Sequence, residues 1–104
     1  MIILDANILL FAANSGAPEH EPALAWLRKL FRGTELIGLP WVSLWAFLRI
    51  STNPRLFSQP LTTAEAFTAV KQWISQPGVI VVTPGPRHWE ILESAVEASQ
   101  ATAR

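Results

Sequence analysis

The segment Ile2-Ile3-Leu4-Asp5-Ala6-Asn7-Ile8-Leu9-Leu10-Phe11 decides how this chain is read. An apolar run too short for a helix ends at a carboxylate, and apolar residues resume at Ile8. That order predicts a buried strand running into a helix, with Asp5 at the carboxyl end of the strand.

Outward from this segment, strand and helix patterns alternate. Ser15-Gly16-Ala17-Pro18 reads as a loop. From Glu19 onward Ala23, Leu24, Trp26, Leu27, Leu30 and Phe31 recur at helical spacing, with Gly33 as a stop. Leu36 to Leu39 is a second strand, weakened by Gly38. Pro40 suits the first turn of a helix from Trp41 to about Ile50, apolar enough to be read as largely buried, and Asn53-Pro54 breaks it. Thr62 and Glu65 form a capping box for a helix reaching about Ser75. Val79 to Val82 is a β-branched third strand between Pro77-Gly78 and Pro84-Gly85-Pro86, and a last helix is expected from about Arg87. Alternation of this kind predicts an α/β sandwich on a parallel sheet. Right-handed crossovers place the strand ends, Asp5 among them, along the edge where open α/β sheets bind ligands.

Composition narrows the function. The chain has 104 residues, half of them apolar, enough for one modest core and too few for two. Eight basic residues balance eight acidic ones, so any contact with nucleic acid must be local. The absence of Cys excludes disulfides and thiolate chemistry and fits a reducing cytoplasm. The opening apolar run is interrupted by Asp5 before it could serve as a leader or a membrane span. A soluble cytoplasmic protein with no membrane partner is the expectation.

The acidic residues are one Asp and seven Glu. An Asp held rigidly at a strand end can ligate a divalent cation, and it can equally cap the helix that follows while Asn7 secures the turn. Both readings of Asp5 stay open from position alone. Glu90, Glu93 and Glu97 share a face of the last helix, read as solvated, and Glu19, His20 and Glu21 suit a helix start. His20 and His88 lack the paired spacing of a zinc site. Arg49 and Arg55 flank Asn53-Pro54, and Arg49 suits either a phosphate or the carbonyls at its helix end. Trp41 and Trp45, one turn apart, read as core or as a protein interface; Trp26 and Trp73 read as core.

Three stretches carry a resemblance. Ile3-Leu4-Asp5-Ala6-Asn7-Ile8-Leu9-Leu10 looks like the first strand and turn of PIN domains. Leu39-Pro40-Trp41-Val42-Ser43-Leu44-Trp45-Ala46-Phe47-Leu48-Arg49-Ile50-Ser51-Thr52-Asn53-Pro54-Arg55 closely resembles the second block of one branch of VapC-like ribonuclease toxins. Pro84-Gly85-Pro86-Arg87-His88-Trp89 is similar to the segment after the third strand of that branch. The resemblance implies a PIN-like three-layer α/β/α sandwich and a metal-dependent endoribonuclease using Mg²⁺ or Mn²⁺. It further implies an RNA substrate, a cognate antitoxin and a homodimer. It makes Asp5 the catalytic and metal-binding carboxylate and places Asn7 and Arg49 near the substrate.

The chain departs from that pattern at Ala46, where many PIN domains carry a glutamate. The family also continues beyond the point matching Arg104 into a further strand, a helix and more acidic ligands. Residues 1–104 are therefore expected to form a single incomplete PIN-like domain. The competing expectation is an inactive truncated domain that retains antitoxin binding or dimerisation. An unrelated phosphate-binding α/β domain would need a GxxxxGK[ST] loop, and the sequence contains none.

Overall fold

A computed structural model describes residues 1–83 and, beyond them, Glu90, Glu93, Ser94, Val96 and Glu97. The elements alternate as expected: β1 (Ile2–Ile3), α1 (Ala6–Ala13), α2 (His20–Arg32), β2 (Ile37–Pro40), α3 (Trp41–Ser51), α4 (Thr63–Ile74) and β3 (Val79–Val82). All pairings are parallel in the order β1-β2-β3, with Ile2 opposite Ile37 and Ile37 opposite Val79. This is the α/β architecture with a parallel sheet that the alternating pattern predicts. Of the expected last helix, the five described residues are helical and exposed, while Arg87, His88 and the remainder lie outside the described residues.

The register explains the core. Ile2, Ile37 and Val79 share one face with Leu4 and Leu39, and this face meets Leu9, Ala12, Leu27, Leu44, Phe47, Ala66 and Val70 from the helices. Phe47 and Leu39 are completely buried, and Trp73 lies edge-on to Phe47 at 4.8 Å between ring centroids. The opposite face of the sheet carries Ile3, Gly38, Ile80 and Val82. Among the described residues no helix is long and apolar enough to cross a membrane.

Three local expectations need correction. Pro40 ends β2 with extended backbone and is the residue before the first turn of α3, outside that turn. Helix α3 is not largely buried: Ser43, Leu44, Phe47 and Ser51 face inward, but Trp41, Val42 and Trp45 are exposed. A helix on the rim of one sheet face buries one stripe whatever its total apolarity. Trp26 is likewise exposed at 44 %, so it is not core, whereas Trp73 packs against the core as expected. Gly38 sits inside β2 despite its poor strand propensity, and the ends of the Ile3 and Met1 side chains lie over it where a side chain of its own would begin.

Candidate active site at the strand edge

Asp5 lies immediately beyond β1 with extended backbone, and its Oδ1 accepts a hydrogen bond from the Ile8 amide at 3.1 Å. It therefore caps α1. Capping engages one carboxylate oxygen; Oδ2 has no hydrogen bond among the described residues and the side chain is exposed. The cap reading is thus realised in the structure, and it leaves a ligating oxygen available.

The carboxylate borders a cavity of about 210 Å³ lined by Ile3, Leu4, Asp5, Ile8 and Trp26. Asp5 is the one ionisable side chain in that lining. Beneath it, the buried Ser43 Oγ donates to the Leu4 carbonyl at 3.1 Å, tying the first turn of α3 to the end of β1. The strand end that presents Asp5 is therefore fixed from two sides, by the α1 cap and by α3.

The other proposed site residues are less closely gathered. Asn7 is exposed in the first turn of α1 and makes no side-chain hydrogen bond among the described residues, so it does not secure the turn. Arg49 is exposed in the last turn of α3 with no bond to the helix carbonyls among the described residues. It lies six residues beyond Ser43, about 9 Å of helix rise. The lining of the Asp5 cavity includes neither residue. His20 Nδ1 contacts the Phe11 carbonyl at 3.0 Å, linking α2 to the end of α1 in a structural role.

Ala46 is half-buried and offers no ligating atom. Among the described residues no group of three or more His, Cys, Asp or Glu converges on a point. A magnesium ion retains most of its waters unless several hard oxygens meet it, so the described residues do not by themselves fit a Mg²⁺ centre. They supply one carboxylate at a rigid strand end.

Sequence reasoning missed Ser43 and Trp26. Ser43 could have been found as the polar residue inside an apolar helix start, where a buried hydroxyl needs a partner. Nothing in the pattern of α2 indicates that Trp26 reaches across to the strand carrying Asp5.

A parallel α/β domain that offers an acidic residue at a strand end is the class defined by this fold and site. No protein-family profile matches the chain. Individual relatives do. Ribonuclease VapC33 of Mycobacterium tuberculosis is 46% identical over 91 residues, 88% of this chain and 64% of that protein. Ribonuclease VapC37 of the same organism is 41% identical over 92 residues, again 88% of this chain and 64% of the relative. Ribonuclease VapC31 is 34% identical over 102 residues, covering 98% of this chain and 72% of its own length. The chain belongs to the VapC ribonuclease family, the PIN-type branch its sequence resembles. It spans about 64% of the length of VapC33 and VapC37.

Proposed function

We propose that this chain provides the Asp5 portion of an RNA-cleaving centre in a toxin of a toxin–antitoxin pair. The observation that carries the reading is the Asp5 carboxylate, exposed beside a cavity at the end of β1, with one oxygen capping α1 and the other available. Membership of a family whose named relatives are ribonucleases supports RNA as the substrate. Mg²⁺ or Mn²⁺ is the proposed cofactor, and Asp5 is one of the several oxygen ligands such an ion requires. Asn7 and Arg49 are proposed to contact RNA from the rim. The partner is a cognate antitoxin, for which the exposed Trp41, Val42 and Trp45 of α3 offer an apolar ridge. A homodimer and a cytoplasmic setting complete the proposal.

A second reading is favoured by Ala46 and the solitary carboxylate: a form that binds antitoxin or a second copy without cutting RNA. The two separate in one assay. The 104-residue chain and its Asp5→Asn variant are incubated with total RNA under Mg²⁺, Mn²⁺ or EDTA. Cleavage that needs the metal and disappears in Asp5→Asn supports the nuclease. Metal-dependent cleavage unchanged by Asp5→Asn removes the site assignment, and no cleavage by the parent chain favours binding alone.

A further inference from the structure

A cavity of about 400 Å³ lies between α2 and α4, lined entirely from within residues 1–83. On α2 it touches Leu24, Leu27, Arg28 and Phe31, one stripe at 3.6 residues per turn, whereas Trp26 at the Asp5 cavity stands on the opposite side of that helix. The two cavities share no residue. The leucines and Phe31 supply apolar walls, and Trp73 adds an aromatic one, steadied by its edge-on contact with Phe47. Three polar groups meet these walls. Arg28 is exposed and has no ion-pair partner among the described residues, and no carboxylate lines the cavity. Gln72 on α4 and Gln76 just beyond it bring two amides. Gln76 Nε2 donates to the Gln72 carbonyl at 3.2 Å, which orients that amide and leaves its Oε1 available to accept. The Gln72 side chain has no hydrogen bond among the described residues.

We infer that this cavity binds one unpaired nucleotide, with Arg28 on the phosphate, the two glutamine amides on the base edge and the apolar walls against the base face. A guanidinium fork matches phosphate oxygens in bidentate fashion. A primary amide sets a donor beside an acceptor, the pairing that a base edge also presents. A simple organic anion would satisfy Arg28 and leave both amides unmatched, and an apolar ligand would leave all three groups so. Size agrees, since ligand sites run from roughly 300 to 1,000 Å³ and this cavity falls toward the lower end. The charges of the whole chain balance, so an anion is attracted only by a local cation without a partner, as Arg28 is. A free nucleotide and a nucleotide within single-stranded RNA carry the same chemistry, and the test separates them. The inference does not depend on cleavage at Asp5, whose cavity is on the other side of α2.

NMR titrations of the 104-residue chain in EDTA test it, with the four nucleoside 5′-monophosphates, inorganic phosphate and a short 2′-O-methyl oligoribonucleotide as probes. Saturable shifts at the side-chain amides of Gln72 and Gln76 are expected with at least one monophosphate. Its affinity should fall at least fivefold in Arg28→Ala and in Gln72→Ala and stay unchanged in Asp5→Asn. Inorganic phosphate should bind at least tenfold more weakly, because it engages Arg28 alone. Arg28 and Gln72 are exposed, so both variants should fold, and thermal melts that match the parent verify it. An oligonucleotide that binds more tightly than every monophosphate identifies RNA as the source, and equal or weaker binding identifies the free nucleotide. No saturable shift at either glutamine with any nucleotide or the oligonucleotide overturns the inference. So does an affinity unchanged in both Arg28→Ala and Gln72→Ala, or phosphate binding as tight as that of the monophosphates.

Discussion

The Ser43 hydroxyl donates to the Leu4 carbonyl at 3.1 Å across 39 positions of sequence, joining the first turn of α3 to the residue before Asp5. Both groups are buried, so deleting the donor leaves a carbonyl without its partner in an apolar setting. Ser43→Ala should cost about 1 to 3 kcal/mol, against less than about 1 kcal/mol for a typical exposed serine. Urea unfolding of the two proteins, compared at a constant slope, measures the difference. If the tie positions Asp5, Ser43→Ala also alters Asp5-dependent RNA cleavage under conditions where the variant is fully folded.

At Asp5 the capping role and the proposed site role predict different rankings of variants. Asparagine caps a helix about as well as aspartate, whereas alanine removes the acceptor for the Ile8 amide. Asp5→Asn should therefore match the parent in thermal stability, and Asp5→Ala should lose about 1 kcal/mol. Both should abolish cleavage. Activity that followed stability, retained in Asn and lost in Ala, would show that Asp5 acts only as a cap.

What the sequence revealed and concealed follows from the range of each interaction. The Thr62–Glu65 capping box was readable because both partners lie within one helical turn, and both of its hydrogen bonds are present. The three strands were readable as short apolar runs between breakers, Gly38 included, although only the structure shows Ile3 and Met1 closing over that glycine. The position of Asp5 could be read from its place after β1, while its environment could not. Ser43 comes from 38 residues beyond Asp5, and Trp26 from a helix whose periodicity says only that some face is buried. The same limit explains Trp41 and Trp45. Apolarity marks a residue for burial, but which face of α3 meets the core is decided by neighbours distant in sequence.

Glu65 gives a pH prediction. The Thr62 amide, and after it the Thr62 hydroxyl, hold its carboxyl below the ordinary value of 4.5. A carboxylate whose folded pKa is depressed contributes stability that is present above the unfolded value and is lost as pH falls through the lowered folded one. The advantage of the parent chain over Glu65→Ala should thus be constant from neutral pH down to about 5 and shrink below about 4. Thermal melts of the pair across that range check it, and side-chain carbon NMR should show Glu65 titrating below the ordinary glutamate value of 4.5.

Phe47 is where the largest single loss of stability should occur. It is fully buried, belongs to the cluster that includes Leu4 and Leu39 from the sheet and Ala66 from α4, and meets Trp73 edge-on. Truncation of a buried phenylalanine to alanine costs about 3 to 5 kcal/mol through lost burial and the cavity left behind. Domains of this size have total stabilities of about 5 to 15 kcal/mol, so Phe47→Ala should be largely unfolded at 37 °C if the chain lies toward the lower limit. Phe47→Leu keeps most of the volume and separates packing from the ring pair. A double-mutant cycle with Trp73→Leu should return a coupling of about 0.5 to 1.5 kcal/mol from urea unfolding. A coupling near zero would mean that Trp73 contributes by burial alone, and α4 would then be held to α3 by apolar area without a specific ring contact.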